Sequence, residues 1–183
     1  VPMQEDHPWE AILTNIEGTI NLIDVSEDYG VERFVLVSTD KAVNPTNIMG
    51  ATKRVAEKLI QSKSIDSDVK YMAVRFGNVI GSSGSVIPTF QKQIQNGGPI
   101  TITDANMQRY FMSISEAAQL ILQAGAMGAG SEIYVLDMGK PVNIKDIAFE
   151  LIRLSGLEPE IDIGVEYIGM RPGEKMFEEL QTH

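Results

Sequence analysis

The stretch that decides the fold is Phe34–Arg54, which reads FVLVSTDKAVNPTNIMGATKR. Its apolar, branched beginning, from Arg33 to Ser38, is typical of a buried parallel strand. From residue 48 to 62 the apolar residues return to helical spacing. The polar run Ser38–Lys41 therefore follows a strand directly, at the end where open α/β sheets bind ligands.

The neighbouring sequence continues this alternation of helix and strand. Apolar residues at three- and four-residue steps predict a helix over residues 8–29, with Gly30 as a left-handed stop. The run YMAVRF, residues 71–76, predicts the next strand. Helix, strand, helix and strand, joined by connections long enough for right-handed crossovers, predict an α/β fold with a doubly wound parallel sheet of Rossmann type.

Beyond Gly77 the pattern changes, and a second lobe begins. We expect a loop rich in Gly and Ser, a helix over residues 86–95, a breaker at 97–99, a short ITIT strand, a helix capped by Ser113 and Glu116, a strand over 132–136, a helix between Asn143 and Gly156, and finally a strand, an RPGEK turn and a helix over 165–180. We therefore expect a Rossmann-like sheet domain over residues 1–80 and a small α/β lobe over residues 81–183, with some segments of the lobe returning to the sheet.

Composition excludes several classes of function. Twenty-five acidic residues against 15 basic ones leave a formal charge of −10, which repels nucleic acid and anionic membrane surfaces. The absence of cysteine excludes thiolate metal sites and disulfides, and two histidines near opposite ends argue against a histidine-based site. No run of about 18 apolar residues predicts a membrane helix. We expect no nucleic-acid partner and no metal.

The first candidate site is the run after the predicted strand. Thr39, Asp40 and Lys41 lie at the strand end, and Met49 and Lys53 share one face of the following helix because they are four residues apart. An acid, a hydroxyl and two lysines would then meet in one crevice. From spacing alone a second interpretation stays open, in which Asp40 and Lys41 form a solvated turn pair and Lys53 is a surface lysine.

The second candidate site follows the strand over residues 71–76. Arg75–Asn78 runs into a loop with several glycines and then a helix near Val86, whose unpaired amides suit a diphosphate. A surface loop is the alternative interpretation, because the pattern is neither a P-loop nor GxGxxG. Arg109 and Arg171 would bind phosphate and Glu174 sugar hydroxyls if they face the crevice; otherwise they are surface charges.

Four sequence blocks together resemble one known family: NIEGT followed by NL, STDKAVNPTNIMGATKR, RFGNVIGSSGSVIPTF and RPGEK. They are similar, in this order, to the nucleotide-sugar 4,6-dehydratases of bacterial polysaccharide biosynthesis, members of the extended short-chain dehydrogenase/reductase superfamily. The similarity is greatest to the large, membrane-anchored branch that acts on UDP-N-acetylglucosamine in capsule, O-antigen and protein-glycan synthesis.

The resemblance implies NAD or NADP as cofactor and a UDP-N-acetylglucosamine-like nucleotide sugar as substrate. Hydride leaves carbon 4, water is eliminated across carbons 5 and 6, and hydride returns. By resemblance Thr39 lies at the carbon 4 oxygen, Asp40 is the acid, Lys41 the base and Lys53 the contact to the nicotinamide ribose. Asp40 must then be protonated and Lys41 neutral, so a direct ion pair between them would oppose both roles.

Met49 stands where most of the superfamily has tyrosine, four residues before the lysine. A thioether cannot accept the proton of the carbon 4 hydroxyl. Either the site is inactive, or it belongs to the branch in which that proton leaves through Thr39, a water or Asp40. We favour the second interpretation, because Thr39, Asp40, Lys41 and Lys53 are all present.

The resemblance also assigns residues outside the STDK block. Phe76, Gly77 and Asn78 pass beside the nicotinamide and the substrate, and Ser85 and Val86 lie at the nucleotide diphosphate. Arg109, Arg171 and Glu174 form the nucleotide-binding wall. A homo-oligomer is compatible with the family.

Such enzymes begin with a glycine-rich strand, turn and helix that bind the cofactor diphosphate, and the large ones with membrane helices. We expect this chain to be the carboxyl-terminal part of the catalytic domain of a cytoplasmic protein, or of one anchored at the inner face of the cell membrane. The resemblance then implies that residues 1–80 are the second part of the Rossmann-like domain, with the catalytic strand and helix, and that residues 81–183 are mainly the nucleotide-sugar-binding lobe. An epimerase or reductase on the same scaffold, or a non-catalytic nucleotide-sugar-binding protein, is an alternative. The Asp40–Lys41 doublet favours dehydration, since epimerisation needs no acid and base for elimination.

Overall fold

The computed structural model describes residues 1–82 and 84–181. The elements in chain order are α1 (Pro2–Asp6), α2 (Pro8–Ile12), a π-helical turn (Leu13–Glu17), α3 (Gly18–Asp28), β1 (Arg33–Val37), a 3-10 turn (Asp40–Ala42), α4 (Ile48–Lys63), β2 (Lys70–Arg75), β3 (Asn78–Val79), α5 (Val86–Gln95), β4 (Ile100–Ile102), β5 (Gln108–Arg109), β6 (Phe111–Met112), α6 (Ile114–Met127), β7 (Ile133–Val135), β8 (Val142–Asn143), α7 (Ile144–Leu154) and β9 (Val165–Tyr167).

The chain forms two compact units that are interleaved in sequence. Unit 1 contains Val1–Gly77, Ser115–Asp137 and the segment from Glu179 onward. Unit 2 contains Asn78–Ile114 and Met138–Glu178. Within the part of the chain that the structure describes, no helix has the length and apolarity needed to cross a membrane.

Unit 1 is built on a parallel sheet in the order β1-β2-β7. Each strand is preceded by a helix, because parallel strands need a right-handed crossover that carries the chain back to the end of the sheet where the next strand begins. A buried cluster holds the sheet against its helices: Ile23, Leu36, Ala56, Ile60, Val69, Tyr71 and Ala73. The strand β7 comes from the second half of the sequence and joins β2 through the pair Val74 and Tyr134.

The helix predicted over residues 8–29 is present, but a π-helical turn interrupts it at Leu13–Glu17. Within that turn the side-chain amide of Asn15 donates to Thr52 Oγ1 on α4 (3.0 Å), and Thr19 Oγ1 donates to the Asn15 carbonyl (2.7 Å). Such a local interruption leaves the apolar period nearly intact, which is why the sequence does not reveal it. Gly30 follows with φ of +61°, as predicted for the stop.

The described residues of unit 2 form three two-stranded pairs and two helices. The pairs β3–β6 and β4–β9 are parallel and β5–β8 is antiparallel. The helices α5 and α7 pack on one apolar cluster: Phe90, Ile94, Ile100, Ile102, Met107, Ile144, Ala148, Ile152 and Ile163. Asn143 caps α7 by accepting from the Lys145 amide (2.7 Å), and Gly156 follows the helix with φ of +76°.

The prediction of a helix after the RPGEK turn is wrong. Residues 175–180 form no helix in the structure. The Arg109 guanidinium donates to the carbonyls of Lys175 (2.8 Å) and Met176 (3.1 Å), and the Gln108 amide also donates to Met176. Since these carbonyls are taken by another part of the chain, they cannot accept the i+4 amides of a helix.

Candidate functional site

The polar run after β1 folds as a hydrogen-bonded chain. Thr39 is extended and caps the 3-10 turn, and its Oγ1 donates to Asp40 Oδ1 at 2.9 Å. The Lys41 ammonium donates to the same Oδ1, also at 2.9 Å, with the Asp40 side chain 1% exposed and that of Lys41 14%. The direct ion pair that would oppose the two roles implied by the resemblance is therefore present.

The second carboxylate oxygen of Asp40 is placed differently from the first. Oδ2 is buried and has no hydrogen-bond partner among the described residues. A buried acceptor without a partner is costly, and such sites point to a missing donor. The carboxyl group of Asp40 thus retains one acceptor that a substrate hydroxyl could use.

The backbone of the run is fixed by the neighbouring strand. Ser38 donates its amide to the Val74 carbonyl (2.8 Å), and Asp40 donates its amide to the Phe76 carbonyl (3.1 Å). These bonds continue the β1–β2 ladder past the end of β1. Thr39 and the 3-10 turn that begins at Asp40 are therefore anchored by backbone hydrogen bonds to β2 and to the residue after it.

The beginning of α4 packs directly on this turn through Gly50. An added Cβ at Gly50 would lie 2.1 Å from the Lys41 carbonyl oxygen, well inside van der Waals contact. The helix starts there because the Asn47 side chain accepts from the Gly50 amide (2.7 Å). A side chain at position 50 would push α4 away from the Lys41 backbone.

Lys53 lies one turn after Met49 on α4, and its ammonium donates to the Val37 carbonyl at the end of β1 (3.2 Å). Burial lowers the pKa of Lys53 below its ordinary value of 10.5. Thr39, Asp40, Lys41 and Lys53 are thus brought together at one strand end. Met49 is half-buried and follows the helix cap Asn47 by two residues.

A buried charge network beneath the strand end was not anticipated from the sequence. Glu57 is 0% exposed and accepts from Ser38 Oγ (2.7 Å), from two nitrogens of Arg75 (2.7 and 2.6 Å) and from Arg54 (3.0 Å). A glutamate four residues after Lys53, on the buried face of the same helix, was the available signal. Burial raises the pKa of Glu57, but the hydrogen bonds from Arg75 and Ser38 outweigh it, so the pKa lies below 4.5.

The remaining candidates are divided between the units. Phe76 and Gly77 follow β2 in unit 1 and are half-buried. Asn78 begins unit 2, where its amide donates to the Tyr110 carbonyl (3.0 Å). Ser85 precedes Val86, the first residue of α5, and the Ser85 hydroxyl is buried without a partner among the described residues. Ser83, in the predicted Gly/Ser loop, lies outside those residues.

The arginines of the predicted nucleotide wall differ from each other. Arg109 is 7% exposed, donates to the carbonyls of residues 108, 175 and 176, and lies 3.7 Å from Glu178 Oε1. Arg171 is exposed, and its amide donates to Glu174 Oε2 (3.0 Å), which closes the RPGE turn. Arg109 therefore holds the chain that follows the turn, while the Arg171 side chain projects from it.

A small cavity of about 150 Å³ lies in unit 2, lined by Gln108, Tyr110, Pro141, Phe177 and Glu178. Pockets that enclose small organic ligands usually measure about 300 Å³ or more. This cavity is thus too small to enclose a nucleotide sugar by itself.

Comparison with known sequences identifies relatives along the whole chain. The profile of a family described as "Polysaccharide biosynthesis protein" matches residues 1–183. The chain is 59% identical over 181 residues to the capsular polysaccharide biosynthesis protein CapD of Staphylococcus aureus, which covers 98% of this chain and 30% of CapD. It is 36% identical to a UDP-N-acetylglucosamine 4,6-dehydratase (inverting) of Campylobacter jejuni, covering 97% of this chain and 52% of that enzyme.

A UDP-glucose 4-epimerase of Rickettsia rickettsii is 37% identical, with 98% of this chain and 52% of the epimerase covered. The chain thus spans between 30% and 52% of the length of these relatives.

Two solved structures show the same fold. Pen from Bacillus thuringiensis superposes with a TM-score of 0.90 at 41% identity, covering 98% of this chain and 56% of Pen. The UDP-glucose 4-epimerase of Thermus thermophilus in complex with NAD superposes with a TM-score of 0.84 at 21% identity, covering 97% and 64%. The predicted α/β fold of Rossmann type is confirmed.

Replacing Gly50 by alanine should displace the start of α4 from the Lys41 carbonyl. We expect the free energy of unfolding to fall by about 1–3 kcal/mol, the usual cost of an added group in a packed site. Gly18→Ala is the matched control, because its Cβ would meet the Leu13 carbonyl at an ordinary 3.5 Å in another helix start. Urea denaturation followed by circular dichroism checks both, and equal stability of the two variants would contradict the close contact.

The lowered pKa of Glu57 predicts a pH-dependent contribution to stability. Since the folded-state pKa is depressed, the contribution is complete above the ordinary value of 4.5 and is lost as the pH falls through the folded-state value. Near neutral pH we expect Glu57→Gln to have a free energy of unfolding lower than that of wild type by an amount on the order of 3 kcal/mol. This difference between the two proteins should become smaller as the pH falls below 4.5.

Urea titrations of wild type and Glu57→Gln across this range measure the narrowing. Glu150→Gln, which removes an exposed ion pair with Arg153, should cost less than about 1 kcal/mol throughout. A Glu57→Gln deficit that stays constant with pH would show that the Glu57 carboxylate is not the titrating group.

Proposed function

This chain belongs to the polysaccharide biosynthesis protein family, and we propose that the protein carrying it is a nucleotide-sugar 4,6-dehydratase of capsule, O-antigen or glycan biosynthesis. The substrate class proposed is a UDP-N-acetylhexosamine. The identity to CapD and to the Campylobacter jejuni dehydratase supports this assignment. The general class, an enzyme of the nucleotide-sugar dehydratase and epimerase type, is supported by the Campylobacter jejuni dehydratase and the Rickettsia rickettsii epimerase.

The observation that carries the proposal is the hydrogen-bonded chain from Thr39 Oγ1 through Asp40 Oδ1 to Lys41 Nζ, together with Asp40 Oδ2, which is buried and has no partner within the described part of the chain. Elimination of water needs a base and an acid close to adjacent carbons of the sugar. A carboxyl and an amine in direct contact, at the end of a rigid strand, supply that pair.

We assign the proton steps as follows. The proton of the carbon 4 hydroxyl passes through the Thr39 hydroxyl to Asp40, which becomes a carboxylic acid. Neutral Lys41 takes the proton from carbon 5, and Asp40 gives its proton to the carbon 6 hydroxyl, which leaves as water. Lys41 then returns its proton to carbon 5, so every proton is accounted for.

One state of the proposed cycle pairs the two groups directly. Immediately after water leaves, Asp40 is a carboxylate and Lys41 an ammonium, and the 2.9 Å contact between Lys41 Nζ and Asp40 Oδ1 fits that pairing. In this proposal Asp40 takes its proton from the carbon 4 hydroxyl, and Lys41 gives its proton back to carbon 5.

The residues at the strand end fit a nicotinamide dinucleotide. An ammonium has three donors, and Lys53 directs one of them to Val37, which leaves others for ribose hydroxyls. Phe76 and Gly77, after β2, offer a ring and a close backbone approach. The chemistry that NAD or NADP would supply there is hydride removal from carbon 4 and hydride return to carbon 6.

Unit 2 is proposed to bind the nucleotide part of the substrate. Ser85 precedes and Val86 begins α5, whose first amides suit a diphosphate, and Asn78 lies in β3 ahead of that loop. Arg171 and Glu174 belong to the RPGE turn, and Arg109 holds the chain after that turn. In this proposal Arg109 acts on the nucleotide mainly by fixing the turn that presents Arg171.

A 4-epimerase is the second candidate, because the Rickettsia rickettsii relative carries that name at 37% identity. Epimerisation uses the carbon 4 chemistry alone and needs no proton transfer at carbons 5 and 6. Mass spectrometry of products from UDP-N-acetylglucosamine separates the two functions, since dehydration removes the mass of one water and epimerisation changes no mass.

The roles of Asp40 and Lys41 predict a loss of dehydration. Asp40→Asn and Lys41→Ala in the protein that carries this chain, supplied with NAD and UDP-N-acetylglucosamine, should each lower kcat by about 10²–10⁴-fold, the usual contribution of an acid or base. Lys58→Ala, at an exposed position on α4, is the control and should keep wild-type activity. Unchanged water loss in both site variants would remove the proposed mechanism.

Met49 provides a separate test of the proton route through Thr39. If that route operates, wild-type protein is active, Met49→Leu stays within about tenfold of it, and Met49→Tyr brings no large gain. Steady-state rates of the three proteins with UDP-N-acetylglucosamine measure this. A sharp rise from near zero in Met49→Tyr would instead identify a site that requires tyrosine and has lost it.

A further inference from the structure

We propose that Glu57, clamped by Arg75, is a positioning residue that fixes the strand end from which Thr39, Asp40 and Lys41 project. This inference rests on the proposed function, because the position of these side chains matters only if they react with substrate. Glu57 itself contacts Ser38, the residue before Thr39, and acts on the turn through it.

Glu57 joins three elements with one carboxylate. Its Oε1 accepts from Ser38 Oγ after β1 and from Arg75 Nε at the end of β2, both at 2.7 Å. Its Oε2 accepts from the second Arg75 nitrogen at 2.6 Å and from Arg54 on α4 at 3.0 Å. Bidentate arginine–carboxylate pairs are directional, so α4 and β2 hold Glu57 in a fixed orientation.

The contact reaches the reacting groups through one residue. Ser38 immediately precedes Thr39, is 4% exposed, and is bound by its amide to Val74 and by its hydroxyl to Glu57. One turn earlier on α4, Lys53 holds the carbonyl of Val37. The helix thus binds two consecutive residues of the strand end, one through an acceptor and one through a donor.

Stability alone does not explain this arrangement. Burying an ion pair costs desolvation, and apolar residues of similar size usually stabilise a core as well or better. The network instead fixes geometry. Arg75 orients the Glu57 carboxylate, and the hydrogen bond from Ser38 to that carboxylate requires a particular position of Ser38. Reacting groups must be placed within about 0.5 Å, and a displacement of about 1 Å can cost 10²-fold in rate.

Ser38→Ala is the most selective variant, since it removes the link to the turn and leaves the bonds from Glu57 to both arginines. In the protein that carries this chain we expect kcat for water loss to fall about 10–100-fold, with KM for UDP-N-acetylglucosamine within about threefold. Ser38→Thr keeps the hydroxyl and should recover most of the rate. Arg54→Ala removes a Glu57 bond that does not reach the turn and should remain near wild type.

Hydrogen exchange gives a readout that does not depend on activity. In Ser38→Ala the amide of Asp40, which donates to Phe76, should exchange about tenfold faster, while amides of Tyr71–Val74 stay protected. Faster exchange together with the loss of kcat supports the proposal. Faster exchange with unchanged kcat, or a wild-type pattern in both measurements, overturns it and leaves the proposed dehydratase function intact.

A further outcome distinguishes failure of the proposed dehydratase function from failure of the positioning role of Glu57. If wild-type protein with cofactor removes no water from the sugar, the proposed function fails, and with it the positioning role in that reaction. The exchange of the Asp40 amide then still decides whether the Glu57 network holds the turn. Circular dichroism melts of each variant exclude global unfolding as the cause of a rate loss.

Discussion

The bidentate contact between Arg75 and Glu57 is the interaction on which the candidate site depends. It links β2 to α4, and Ser38, the residue after β1, donates its hydroxyl to the same Glu57 carboxylate. The Glu57 and Arg75 side chains are buried there, and only their pairing makes the burial of two charges tolerable, while the Arg54 side chain is 32% exposed. The residue after β1, the end of β2 and the middle of α4 are therefore joined through one carboxylate.

The turn itself combines two kinds of constraint. Its backbone is held by hydrogen bonds from the Ser38 and Asp40 amides to the carbonyls of Val74 and Phe76. It is also held by the close approach of Gly50, a position that has no room for a side chain. Its side chains are joined by short polar contacts between Thr39, Asp40 and Lys41. The first constraint fixes where the groups are, and the second determines how a proton can move between them.

Sequence periodicity predicted the main elements because β1, α4 and β2 have long, regular apolar patterns. The strands β3, β5, β6 and β8 were missed, since two residues cannot express a period. The helix after RPGEK was predicted wrongly because the bonds that hold this segment come from Arg109, which lies 66 and 67 positions before Lys175 and Met176. A local sequence pattern does not contain such distant contacts. Position at a strand end selected Asp40 and Lys41, whereas their ion pair and the Glu57 network depend on side-chain directions that spacing does not contain.

The interleaving of the two units limits how such a protein can change. The chain passes between units after Gly77, after Ile114, after Asp137 and after Glu178, so four junctions separate them. Exchange of unit 2 between relatives by recombination would need all four junctions to be matched at once. Unit 2 therefore changes more readily by substitution within an existing chain than by replacement with a ready-made module.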